Sequence, residues 1–334
     1  MPIYSVEEGG LARAVDALRA GSCVGLPTET VYGLAADALN PLAVAKVFET
    51  KGRPHFDPLI VHLGPEQDPA RWVTLSDTAR ALIDAFWPGP LTLLVRKGPE
   101  ISDLVTSGHP TVALRCPAHP VAQALLSSFG GPLVAPSANP FGRISPTSAE
   151  AVMDGLGARL EVILDGGPCA VGLESTIVDT TEAPPSLPIL RLGGIEPERL
   201  EALGFELSYP TPIIGQAPGT LKNHYAPRKP LYVFDGELSE GQIPEEAGCL
   251  RWRAPLNRSA FEVLSATGSS LEAAARLFGA MRALDASPAP WLIAELPPSA
   301  GLGGAIRDRL MRAGSGHYDP DHPPQLMRRP EEDT

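Results

Sequence analysis

Apolar residues recur with two periods along the chain, and the switches between them mark out its elements. Leu11, Val15 and Leu18 share one helical face that ends at Gly21, which predicts an amphipathic helix with a glycine stop. A short strand over residues 23–26 follows. The alternation continues with a helix near 42–48, an apolar run at 59–63, a helix around 78–86 and a strand at 91–95. Next come a strand at 112–115, a helix at 121–129, a strand at 133–135 and a helix after the start signal Ser145-Pro146-Thr147. Strands at 162–164, 175–178 and 189–192 close the series. Many strands with intervening helices predict an α/β layer fold.

The pattern changes after Leu192. Residues 208–230 hold five prolines and two glycines with neither helical nor strand periodicity, as expected of an extended linker. A strand at 231–234, a helix around 271–284, a strand at 291–296 and a final helix at 305–312 then sketch a smaller α/β unit. The expected division is a first domain over 1–205, a linker over 206–230 and a C-terminal α/β domain over 231–334.

Composition narrows the function. The chain of 334 residues is 43% hydrophobic and 20% charged, enough to bury large cores. Its 27 Lys and Arg against 39 Asp and Glu leave a net charge of -12, which disfavours nucleic acid and anionic membranes as partners. Any anion site must be a local concentration of cations. Cys23, Cys116, Cys169 and Cys249 stand far apart with no CxxC, which suggests reduced thiols in a cytoplasm rather than a zinc site or disulfide framework. No basic-then-apolar leader opens the chain, and no apolar stretch reaches the roughly 18 residues of a membrane span. Phosphate loops of the GxxxxGK[ST] type, GxGxxG, HExxH and GxSxG are all absent.

What remains is a set of polar residues at the ends of predicted strands. Thr28 and Thr30 follow the strand at 23–26, either as ligands of a small polar molecule or as caps of a turn. Lys51 and Arg53 stand two apart in an expected non-helical stretch, where they either converge on one anion or form a solvated charge pair. His62 lies in an apolar run, as core histidines do, and Arg115 closes the apolar strand that begins at Thr111. Ser137 and Asn139 follow a buried strand, Ser145 reads as a helix N-cap, Ser175 precedes Ile177, and Arg191 is followed by two glycines. Four cations at strand ends of an acidic chain, with hydroxyls at neighbouring loop mouths, point to a phosphate-bearing substrate.

Most of these residues fall in seven ordered motifs: PTETVYGL, KxRP with PLIVH behind it, WPGPLT, VALR, APSAN, ESTI and LRLGG. In that order they resemble the YrdC-like threonylcarbamoyl-AMP synthases, and PGTLKNHYAP with the appended unit resembles the longer, two-domain form. The resemblance implies a YrdC-like twisted open sheet with helices, then the proline-rich linker and a smaller Rossmann-like α/β domain. It implies synthesis of threonylcarbamoyl-AMP and pyrophosphate from L-threonine, bicarbonate and ATP, with magnesium carried by the ATP. Downstream transfer proteins would use the product to modify tRNA, with direct tRNA binding weak or absent. Carried over motif by motif, Thr28, Thr30, His62, Arg115 and Ser175 line the threonine side. Lys51 and Arg53 clamp phosphates and serve catalysis, while Asp57, Thr111, Ser137, Asn139, Ser145, Arg191 and Tyr225 complete the nucleotide side. Residues 218–227 would form a lid. Lys222 stands where family linkers often carry an aromatic, which removes a stacking ring there.

Two other classes fit less well. An RNA-binding or ribosome-assembly module with a positive cleft is opposed by the net charge of -12. Carbamoyltransferases of hydrogenase maturation contain a related domain, but they also carry zinc-finger-like cysteine pairs, which this sequence lacks.

Overall fold

The structure, a computed structural model, describes residues 2–182, 186–210, 224–256 and 260–324. Its larger sheet contains β1 (Ile3–Tyr4), β2 (Val24–Leu26), β3 (Gly33–Asp37), β4 (Ile60–His62), β5 (Val73–Thr74) and β6 (Leu91–Lys97). It continues with β7 (Thr111–Arg115), β8 (Leu133–Val134), β9 (Ile163–Leu164), β10 (Thr176–Asp179), β11 (Leu187–Arg191) and β12 (Leu207–Ser208). The strand order is β1-β9-β2-β3-β8-β4-β7-β6-β10-β11-β12, with β5 paired to β6. Between the strands run α1 (Gly10–Arg19), α2 (Pro41–Lys51), α3 (Asp77–Phe86), α4 (Asp103–Thr106), α5 (Pro120–Phe129), α6 (Ala149–Leu156) and α7 (Pro197–Glu201).

Period two in the central strands sorts their side chains onto two faces. Val61, Leu93, Val95, Val112 and Leu114 enter the main core, where Val44, Val47 and Phe48 of α2 and Leu82 of α3 pack. The alternate residues Ile60, Leu94 and Ala113 join Ile177 and Leu190 in a separate apolar patch. One step along from that patch, β4 ends at His62 and β7 at Arg115. Register pairs His62 with Arg115 and Arg115 with Thr92, so the three stand in a row across β4, β7 and β6. Strand pairing thus turns residues scattered over 50 positions of sequence into one polar edge.

Helix α2 positions the next cation. Asn40 caps it by accepting from the Leu42 and Ala43 amides, Pro41 presets its first turn, and Gly52 ends it at φ 62. Lys51 is therefore the last helical residue, and only Arg53 lies in the non-helical stretch expected for both. Ser145 is also not the N-cap of α6. Ser148 is, accepting from the Ala151 amide, because the intervening Pro146 delays the helix.

A second sheet follows residue 230, formed by β13 (Leu231–Asp235), β14 (Gly248–Arg251), β15 (Phe261–Val263), β16 (Leu292–Leu296) and β17 (Gly316–His317). Its order is β15-β14-β16-β13-β17, and every pairing is parallel. Helices α8 (Ser270–Ala286) and α9 (Gly303–Ala313) cover one face. That helical face is not left to solvent: Leu277, Phe278, Ile306 and Leu310 share a core with Val31, Ile144, Leu173 and Tyr225. The second unit is thereby packed against the loops that carry PTETVYGL and ESTI. Among the described residues no helix is long and apolar enough to cross a membrane.

Candidate active site

The turn after β2 is organised by hydroxyls. Thr28 Oγ1 donates to the Val31 carbonyl at 2.6 Å and lies 2.9 Å from Thr30 Oγ1. Arg115 Nη1 donates to Thr30 Oγ1 at 2.8 Å, its Nη2 to Glu29 Oε1 at 2.6 Å and its Nε to the Gly89 carbonyl at 3.2 Å. Because guanidinium only donates, Thr30 accepts from Arg115 and passes its own proton toward Thr28, so the chain of bonds has one direction. Each Nη of Arg115 keeps a second N–H, the pair a ligand carboxylate requires.

Beside Arg115, His62 places Nδ1 3.2 Å from the Ile60 carbonyl. A carbonyl accepts only, so Nδ1 carries the proton and Nε2 is left as an acceptor. Burial, with Arg115 close by, pushes the His62 pKa down to about 3. The ring is therefore a neutral acceptor and too weakly basic to hold a proton near neutrality. Burial also brings His224 down to about 3. Unfolded, both rings titrate near the ordinary 6.5, so between pH 6.5 and 3 the unfolded chain binds protons the folded chain refuses. Stability should fall through that window by about 1.4 kcal/mol per pH unit per histidine. In urea titrations at stepped pH, His62→Gln should remove one histidine's share of this slope; an unchanged slope would contradict it.

The remaining cations lie on the next loops. Arg53 Nε donates to the Asp57 carbonyl at 3.0 Å and Nη2 to the Pro58 carbonyl at 2.8 Å. The same Nη2 is 2.9 Å from Asp57 Oδ2, a charge contact in which the N–H does not point at the oxygen. Lys51 Nζ is spent on the carbonyls of Ser137 at 2.5 Å and Asn139 at 2.7 Å, so it ties α2 to the APSAN loop. Burial, with Arg53 nearby, drives its pKa well below the usual lysine value. Arg191 reaches the Ser175 carbonyl through Nε at 3.1 Å and Nη2 at 2.9 Å, and Ser175 Oγ lies 2.7 Å from Thr92 Oγ1.

These groups surround one cleft of about 560 Å³, counting its mouth, lined by Thr28, Thr30, Arg53, His62, Arg115, Ser137, Ser175, Arg191 and Tyr225. Asp57, Lys51 and Ser145 stand behind that lining, bonded to Arg53, to the APSAN loop and to Glu174 respectively. Asn139 lines a neighbouring groove instead. Thr111 is not brought to the cleft. It begins β7, four residues before Arg115, roughly 13 Å away along an extended strand. The body of the proline-rich segment, including Lys222 and most of the expected lid, lies outside the described residues.

Several cleft residues had no role assigned from sequence. Glu29 and Glu174 sat inside quoted motifs, yet only the fold shows what their carboxylates touch. His224 and Tyr225 meet edge to face at 4.1 Å between ring centres. Three buried polar atoms with no hydrogen-bond partner among the described residues lie in or beside the cleft: Glu29 Oε2, His224 Nδ1 and Tyr225 Oη; Asn139 Oδ1 is a fourth, in the neighbouring groove. Orphaned polar atoms are costly, and those that face the cleft would be satisfied by a polar ligand. The thiols offer no alternative nucleophile: all four cysteines are buried outside any disulfide, and burial raises Cys23 and Cys116 to about 11.

The two glycines after Arg191 have a packing reason. A Cβ on Gly193 would stand 2.3 Å from the Glu174 carbonyl oxygen and 2.4 Å from the Ser175 carbonyl carbon. Gly193→Ala should destabilise the fold by about 1–3 kcal/mol and displace Ser175. Thermal unfolding and the apparent threonine requirement should both respond; a silent substitution would show that the loops yield freely.

Comparison with known proteins agrees. Residues 16–193 match the Sua5, YciO and YrdC family, described as telomere recombination, and residues 195–315 match the threonylcarbamoyl-AMP synthase C-terminal domain. The chain is 39% identical to threonylcarbamoyl-AMP synthase of Bacillus subtilis, covering 93% of this chain and 95% of that one. Against the Pyrococcus abyssi synthase the figures are 37%, 92% and 95%. The crystal structure of P. abyssi Sua5 complexed with L-threonine superposes with a TM-score of 0.86 at 33% identity, covering 94% and 97% of the two chains. The chain belongs to the threonylcarbamoyl-AMP synthase family, in its two-domain form.

Proposed function

We propose that the protein is an L-threonylcarbamoyladenylate synthase, a nucleotidyltransferase that joins L-threonine, bicarbonate and ATP into threonylcarbamoyl-AMP with release of pyrophosphate. The observation that supports this reading is the placement of Arg115, with Thr28, Thr30 and His62 around it, in the same cleft as Arg53 and Arg191. The amino acid is held at one end by its carboxylate and the triphosphate at the other by two guanidiniums. Held so, the threonine nitrogen attacks bicarbonate carbon, water leaves, and a carbamate oxygen then displaces pyrophosphate from the α-phosphorus. Both steps gain chiefly from positioning and charge neutralisation, which these residues provide. His62 Nε2 orients the amine as an acceptor, Ser175 and Thr92 close the threonine side, and Lys51 fixes the Ser137–Asn139 turn against the nucleotide. Asn139 Oδ1 and Tyr225 Oη, both without partners, serve as nucleotide contacts.

Magnesium fits as a companion of ATP: the Asp57 and Glu174 carboxylates, beside the cations expected to hold phosphate, already face Arg53 and Arg309. Phosphate oxygens and water would hold it, and it would neutralise phosphate charge. Cysteines outside any disulfide and a net charge of -12 support a cytoplasmic place of action, with product passed to tRNA-modifying proteins and little direct tRNA binding. The test is threonine-dependent pyrophosphate release from ATP in bicarbonate buffer. Release indifferent to threonine would count against the reading.

A further inference from the structure

Among the cations lining the cleft stands one carboxylate that the mechanism does not use, Glu174. A free negative charge there would oppose the phosphates, yet both of its oxygens are occupied. Ser145 Oγ donates to Oε1 at 2.6 Å, and Arg309 Nε donates to Oε2 at 3.0 Å. Burial works to raise the Glu174 pKa, but Arg309, Arg191 and the Ser145 hydroxyl together hold it below the usual glutamate value, so it stays charged.

Arg309 comes from α9 of the second unit, 135 residues further on. It is wholly buried on the face that carries Ile306 and Leu310. Its guanidinium also lies 5.3 Å from the Tyr225 ring centre, and its Nη1 donates to Asp308 at 2.9 Å. Taking an arginine and a glutamate out of water is expensive, and an apolar pair of similar volume would hold the two units together as well or better. The pair therefore calls for a reason beyond adhesion.

We infer that Arg309 is a positioning residue of the nucleotide site, through which the second unit cancels the Glu174 charge and fixes it away from the phosphates. This rests on the synthase reading. Ser145 and Ser175, which flank Glu174 in the site, take their placement from the same contact. The second unit thus contributes electrostatics to the reaction, and the cleft is complete only when α9 is docked.

The experiment compares Arg309→Met, Glu174→Gln and the double variant in the full chain. It reads binding of a non-hydrolysable ATP analogue, the KM for ATP and for threonine, and thermal unfolding. Arg309→Met should weaken analogue binding and raise the KM for ATP roughly tenfold, within the range of charge-pair couplings. Adding Glu174→Gln should return both to within about threefold of the parent, because no buried charge is left to repel phosphate. A purely structural contact predicts a lower unfolding midpoint with the KM for ATP unchanged, and that result overturns the inference. A nucleotide deficit that Glu174→Gln does not relieve overturns it too. If Arg309→Met does not fold, the double variant, which buries no lone charge, is compared with the parent and with Arg309→Lys, which keeps the cation: parent-like analogue binding in both supports the inference, and weakened analogue binding by a folded double variant refutes it. Analogue binding is read without turnover, so a parent lacking threonine-dependent pyrophosphate release would strike the synthase reading alone.

Discussion

Arg115→Gln should all but abolish threonine use while leaving ATP binding nearly intact. Arg115 donates to Thr30, Glu29 and Gly89 at once, so it both builds the turn after β2 and offers the remaining N–H groups to a carboxylate. A charge-assisted bond contributes about 1.5–3 kcal/mol, so losing the bidentate grip should raise the threonine requirement on the order of a hundredfold. A structural cost accompanies it, because Glu29 is left buried opposite an amide. Removing one partner of a buried pair costs about 3–5 kcal/mol. The two effects separate in Glu29→Gln/Arg115→Gln, which should recover much of the lost stability and none of the threonine affinity. Steady-state kinetics with threonine varied, beside thermal unfolding, makes the comparison. If the double variant regains threonine use, Arg115 is a structural cation, and the carboxylate is bound elsewhere.

The contrast between Arg115 and Arg309 shows how much of the site could be read in the sequence. Arg115 announces itself: a guanidinium closing an apolar strand needs a partner or a cleft, and strand registry supplies both. The alternation in LTLL, IVH and VALR likewise foretells which residues face the cleft, because period two survives whatever the strand order. Arg309 also left a trace, since it falls on the apolar face of α9 with Ile306 and Leu310. Nothing local says that this face meets a loop 135 residues away. β3 escaped because Gly33-Leu34-Ala35-Ala36 has no β-branched residue and forms a strand only through its pairing with β2 and β8. Lys51 was misplaced for a simpler reason: Gly52 suggests a turn, but as a C-cap in the left-handed region it extends α2 up to its neighbour.

A chain ended at Gly204 should keep the larger sheet and lose the reaction. Every strand of that sheet except β12 lies before the cut, and its main core draws on residues up to Leu200, with only Phe205 and Leu207 lost from its rim. The cleft is a different matter. His224 and Tyr225 form part of its wall, Tyr225 stacks on Phe278 of α8 at 5.6 Å, and Arg309 holds Glu174. Removing them opens the cleft to water, leaves Glu174 charged beside the phosphates, and exposes Val31, Ile144 and Leu173, which the second unit had covered. The first unit carries an interface shaped to its companion. Circular dichroism of the truncated chain should show retained α/β structure with lower solubility. Threonine-dependent pyrophosphate release should drop about a hundredfold or more, the scale lost when a preorganised charge site is dismantled. Glu174→Gln in the truncated chain should recover nucleotide binding only in part, since it removes the stray charge but not the missing wall. Activity undiminished by the cut would mean that the second unit is a passenger to the chemistry.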